Sequence, residues 1–127
     1  MTQPNMKPSL NVLGEPLELC SNDPLTGWFR DGCCNTDERD RGLHTVCAQV
    51  TQPFLEYLKS KGNDLITPHP EYGFVGLKEG DQWCVCAASW YDAFQMGVAC
   101  PIKLESTHIQ TLELMPLEAL LAHAIKN

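Results

Sequence analysis

The sequence predicts an α+β domain: one compact two-layer fold with a small mixed or antiparallel sheet and about three short helices. Three observations lead there. The 127 residues are the length of a single domain, and a chain this long buries roughly two-thirds of its unfolded surface. Apolar residues recur in two different periods, alternating in 43–50 and 83–88 and following helical spacing in 52–61 and in the last twelve residues. The helical stretches are too few and too short for a regular doubly wound fold.

Residues 1–10 are polar and contain Pro4 and Pro8, the composition of a flexible N-terminal arm, so 11–127 is taken as the domain. Residues 11–20 (NVLGEPLELC) alternate weakly around Gly14 and Pro16, as an edge strand or extended lead-in does. Residues 21–42 are dense in turn chemistry and form a long loop carrying Trp28, Phe29, Arg30, Asp31, Cys33 and Cys34. Loops of that length inside a compact domain are usually functional or mobile. Residues 43–50 read as a strand with His44, Val46, Ala48 and Val50 on one face.

Thr51 stands at an N-cap position, Pro53 falls in the first turn and Gly62 follows as a C′ glycine, which bounds a helix over 52–61. Residues 65–77 hold two prolines and two glycines and read as loop. Residues 83–88 (WCVCAA) read as a strand. Ser89 and Asp92 imitate a capping box for a helix over 90–97. Residues 101–105 and 111–114 are expected as further strands. Pro116 opens a final helix with Leu117, Leu120, Leu121, Ala124 and Ile125 at helical spacing.

Hydrophobic residues make up 43% and charged residues 20%, which excludes general disorder and fibrous repeats. Nine basic residues against sixteen acidic ones leave a net charge of −7. That balance argues against nucleic acid and against an anionic membrane surface as partners. No stretch has the length and apolarity of a membrane span, and the first residues lack a signal-peptide core. The expected address is therefore cytoplasmic, where thiols stay reduced.

Against that background, seven cysteines need a reason. An odd count leaves one unpaired, and a disulfide scaffold suits neither the size nor the expected compartment. In a strand, Cys84 and Cys86 point to one face with Cα atoms roughly 6.5 Å apart. If strand 43–50 lies beside strand 83–88, Cys47 meets Cys84 or Cys86. Cys33 or Cys34 arriving from the loop completes the four thiols of a structural zinc site. The chain has no C-x-x-C pair, however, and buried cysteine commonly packs as a small hydrophobe.

A nucleophilic thiol needs a base or a positive neighbour. Cys33 and Cys34, three and four residues after Arg30, are the candidate nucleophiles, with His44 as base and Asp31 as its orienter. His44 and Cys47 fall on opposite faces if 43–47 is extended. His69 lies between two prolines and reads as a surface residue. His108 is placed to hydrogen-bond Glu105, and His123 to favour the end of the last helix. Nucleotide, serine-hydrolase and zinc-protease motifs are absent, and Gly73, Gly76 and Gly80 form no phosphate cradle.

Six blocks together resemble a known family. They are NVLGEPLELC (11–20), DPLTGWFRDGCC (23–34), RGLHTVCA (41–48), GNDLITP (62–68), GDQWCVCA (80–87) and LESTH (104–108). They resemble a family of small, mainly bacterial proteins catalogued as a domain of unknown function, number 2237. The resemblance implies a single α+β domain and carries no activity, so no site residue transfers with it. It also implies proline at Cys100, which makes that cysteine a bystander.

Three expectations follow. The first is a thiol site of Cys33, Cys34, Cys47, Cys84 and Cys86, as zinc ligands or redox-active thiols, covered by loop 21–42. The second is an interaction module, with the cysteines as core and Trp28, Phe29, Arg30 and Asp31 contacting a protein or small molecule. The third is the thiol enzyme with Cys33 or Cys34 as nucleophile and His44 as base.

Overall fold

The computed structural model describes residues 9–125. Its order is a strand, β1 (Val46–Gln49), a helix, α1 (Gln52–Ser60), a second strand, β2 (Gln82–Val85), and two more helices, α2 (Ala87–Gln95) and α3 (Leu117–Leu121). Single 3-10 turns occupy Pro70–Tyr72, Leu104–Ser106 and Ile109–Glu113. The α+β class is as the sequence predicted. Most of the proposed N-terminal arm lies outside the described residues. Ser9 and Leu10 are tied to the domain, through Leu17 N–H to the Ser9 carbonyl and Ile109 N–H to the Leu10 carbonyl.

α1 forms where its caps require. Thr51 Oγ1 accepts from Phe54 N–H at 3.3 Å, Pro53 lies in the first turn, and Gly62 takes a left-handed φ of 92° just past the end. Its apolar stripe of Phe54, Leu55 and Leu58 is buried. β1 and β2 pair antiparallel, with Val46 opposite Val85 and Cys47 opposite Cys84. Two strands alone are marginal in water. Here Phe54, Leu58, Trp90, Ile102 and Leu120 close over Val46, Ala48 and Val85 in one core. Trp90 anchors that core, fully buried, with its indole N–H donating to the Cys100 carbonyl.

Four expectations about elements are corrected. β1 begins at Val46 rather than at residue 43, because Leu43 adopts a positive φ of 50° and Thr45 N–H turns back to its carbonyl. α2 begins at Ala87, three residues before the expected start. Cys86 is its N-cap, and Asp92 accepts from Tyr57 Oη instead of completing a capping box. Of the expected strand 101–105, only Ile102 pairs, with Ala48 on one side and Ala124 on the other. The segment 111–114 is a 3-10 turn. His108 Nδ1 accepts Gln110 N–H within the turn and Thr111 Oγ1 bonds Thr45 Oγ1 across the fold, so one local and one long-range bond hold the chain in a turn that a strand would break.

His108 is 8% exposed, and burial pushes its imidazole below the ordinary 6.5, with Glu113 pulling weakly the other way. The unfolded chain therefore binds a proton that the folded chain resists. Its contribution is intact above about pH 6.5 and is lost as pH falls from there toward the native value. Urea midpoints should decline below pH 6.5 in the wild type and less steeply in His108→Gln. Parallel slopes would show that other groups govern the decline.

Candidate functional site

The cysteines divide into two groups. Cys20 is bonded to Cys47 and Cys34 to Cys84, while Cys33, Cys86 and Cys100 are free. The expectation that disulfides have no place in this chain is thereby corrected. An odd count excludes complete pairing but says nothing about four residues that the fold stacks together. Cys47 and Cys84 do face each other across the two strands, one of the two pairings the zinc reading allowed. Each sulfur then reaches outward to a loop end: Cys20 opens the segment that carries Trp28 and Arg30, and Cys34 closes it. The sulfurs of Cys20, Cys34 and Cys47 all lie within 4.8 Å of one another. The four cysteines form a small core of their own, 0–6% exposed.

Cys86 is elsewhere. The chain leaves β2 at Val85 and enters α2, so the same-face rule that joined Cys84 to Cys86 ends between them. Cys86 is partly exposed and borders a cavity of about 480 Å³. Trp28, Phe74 and Trp83 give that cavity flat apolar walls, and Arg30, His44 and His69 line it as well.

His44 stands beside Cys86. The turn at Leu43 takes His44 off the strand and over Gly42. A Cβ on Gly42 would lie 3.1 Å from His44 Cε1 and 3.5 Å from Cys86 Sγ. Both groups therefore approach the same point beside Gly42, and the separation of these two atoms cannot exceed the sum of those distances. No hydrogen bond joins the His44 ring to Cys86 Sγ.

Behind His44 lies Asp40, whose side chain is fully buried. Asp40 Oδ1 is 2.7 Å from His44 Nδ1, and its Oδ2 accepts from His44 N–H at 2.9 Å and Thr36 Oγ1 at 3.0 Å. Burial pushes the Asp40 carboxyl up, but these hydrogen bonds outweigh it and hold the carboxyl below its usual range. With Nδ1 committed to Asp40, Nε2 is the nitrogen left for chemistry. Trp28 stacks over the imidazole, centroids 6.1 Å apart and planes inclined by 13°.

A model of the family described as "uncharacterized protein conserved in bacteria (DUF2237)" matches residues 10–124. The chain belongs to this family. No curated protein matches it. The family is the one that the six sequence blocks resemble, and Asp40, Gly42, His44 and Cys86 all fall within the span matched. Cys100, where proline was expected, is fully buried, and burial pushes its thiol up to about 12.

The remaining candidates sit apart from this arrangement. Cys34 is a disulfide partner and carries no thiol. Cys33 is free, but burial and then Asp31 raise its thiol. Arg30 does not relieve it, because the guanidinium lies 5.1 Å over the Trp83 ring. Asp31 accepts from Cys33 N–H and orients no histidine. Phe29 is exposed and outside the lining of the main cavity. His69 pairs with Glu71 at 3.6 Å on the cavity rim. His123 packs edge-on against Trp90 and Phe94.

Two members of the site were missed as such. Asp40 lies four residues before His44, a spacing a tight turn can close. Cys86 immediately precedes the apolar stripe of α2. No helix among the described residues is long and apolar enough to cross a membrane.

Proposed function

We propose that this protein is a thiol-dependent enzyme acting on a small carbonyl compound, with Cys86 as nucleophile, His44 as general base and Asp40 as the residue that orients His44. The observation that carries this reading is the placement of a free cysteine and an aspartate-held imidazole beside the same point of Gly42, both lining an aromatic cavity. The arrangement has the logic of a nucleophile, base and orienter.

In the first step His44 takes the Cys86 proton and Sγ attacks the carbonyl carbon. The bond to the leaving group breaks, and the imidazolium returns the proton to that group. Water, deprotonated by His44, then cleaves the thioester, giving the acid and the free thiol. The flat walls made by Trp28, Phe74 and Trp83 favour an ester or thioester with a planar apolar acyl part. Zinc, in this reading, belongs to the buried sulfurs and not to the cavity, because Cys33 and Cys86 stand outside the buried group.

The test is alkylation of the native protein by iodoacetamide, with peptide mapping against time. Cys86 should be modified well before Cys33, and Cys100 only on unfolding. If Cys33 and Cys86 react alike and no activated aryl ester is turned over, the cavity is better read as the binding site of a non-enzymatic module.

Gly42 supplies a finer check. Its φ lies outside the left-handed region, so alanine is conformationally acceptable there, but the new methyl would press on His44 Cε1. Gly42→Ala should slow Cys86 alkylation while shifting stability by no more than about 1 kcal/mol. An unchanged rate would mean that the His44–Cys86 spacing is irrelevant to the thiol.

A further inference from the structure

We propose that the four buried cysteines, Cys20, Cys34, Cys47 and Cys84, are a second site, which holds a zinc ion when the chain is reduced. This proposal does not depend on the chemistry assigned to Cys86.

Three of the sulfurs already lie within 4.8 Å of one another, and the fourth, of Cys84, is bonded to one of them. Zinc–thiolate bonds of about 2.3 Å at tetrahedral angles set sulfurs roughly 3.8 Å apart. Among Cys20, Cys34 and Cys47 the unbonded sulfurs need to close by at most about 1 Å, each reduced pair opens from its S–S bond toward that spacing, and the Cys84 sulfur, held by Cys34 and outside the group of three, swings furthest, all by side-chain rotation about Cα–Cβ. The ligands come from four places in the sequence, two loop ends and two paired strands, so the site exists only in the folded chain. Its surroundings are closed, with every one of the four residues buried. That is the character of a structural zinc site, which has no open coordination position.

The conversion balances as follows. Each disulfide takes two electrons and two protons from a dithiol reductant, which closes to its own disulfide. The four thiols then release four protons as they bind one Zn²⁺. Either form serves the same mechanical end. Cys20 and Cys34 bound the segment that supplies Trp28 and Arg30 to the cavity, and both are fastened to the sheet whether by covalent bonds or by metal. The cavity wall is thus kept in oxidising and reducing surroundings alike.

The test uses the full chain, reduced with a dithiol, freed of metal and then titrated with Zn²⁺ or Co²⁺. The expected result is about one ion per reduced chain, none per oxidised chain, and a Co²⁺ charge-transfer band of four-thiolate intensity. Cys20→Ser and Cys34→Ser should lose stoichiometric uptake, and Cys33→Ser and Cys86→Ser should keep it. Because the first two variants can fail to fold, the wild-type band stands by itself: an intensity for two thiolates or fewer overturns the proposal. So does an absence of uptake by the reduced wild type, or uptake that disappears with Cys86→Ser or Cys33→Ser.

Discussion

Cys86→Ala is expected to abolish turnover of an activated aryl ester, and His44→Ala to lower kcat by roughly 10²–10⁴-fold, the range of a lost general base. The difference between them reflects role. Without Sγ no covalent intermediate forms, whereas without the imidazole a weak thiol nucleophile survives. Asp40→Asn, which acts only through His44, should cost no more than His44→Ala. It preserves shape but offers an amide where His44 Nδ1 meets a carboxylate at 2.7 Å. The same substitution disturbs the bonds from Thr36 and from His44 N–H, so it should also lower stability. His44→Ala should leave KM nearly unchanged if the ring acts on the reaction rather than on binding. The two remaining free thiols provide internal controls. Cys33 is raised by burial and by Asp31, and Cys100 is pushed up to about 12 by burial, so neither should replace Cys86. Ester turnover that survives Cys86→Ala but disappears with Cys33→Ala would transfer the nucleophile to the loop and end the present assignment.

The sequence disclosed what local chemistry decides and concealed what the turns decide. Thr51, Pro53 and Gly62 act within one helix and its flanks, and α1 is where they place it. Alternation in two short strands left Cys84 and Cys86 as possible partners of Cys47 if the strands paired, and the register selects Cys84. His44 escaped the same reasoning because one residue, Leu43, takes a positive φ. That single dihedral removes His44 from the strand and sets it against Asp40, so the face rule no longer applies to it. Cys86 escaped for a related reason: the strand stops one residue before it, and period-two geometry does not extend into an N-cap. The disulfide partners were hidden differently. Cys20 and Cys34 lie at the ends of a loop, and no periodicity constrains where a loop end returns to a sheet.

Loss of the Cys34–Cys84 cross-link should be the largest single change in stability among the oxidised variants. Closing a loop over a sequence separation of 50 residues restricts the unfolded chain by about 4 kcal/mol, and the separation of 27 for Cys20–Cys47 gives about 3.5 kcal/mol. The two loops overlap, so the sum overstates the joint effect. Even one is a large share of the roughly 5–15 kcal/mol that holds a domain of this kind folded. The architecture makes the dependence plausible on physical grounds: the paired strands are four residues each, and the segment between Cys20 and Cys34 contains no helix or named strand of its own. The double variant Cys34→Ala/Cys84→Ala removes the cross-link without leaving an odd thiol. Its urea unfolding should be displaced by about 3–4 kcal/mol from that of the oxidised wild type. Reduction of the wild type in the presence of chelator removes both cross-links and should produce a larger loss, and zinc should restore part of it, since a ligand that binds only the folded chain stabilises it. If reduced, metal-free protein unfolds at the same urea concentration as the oxidised form, the hydrophobic core around Trp90 alone holds the fold. The four cysteines are then packing residues, and their clustering is a consequence of the fold and not a support of it.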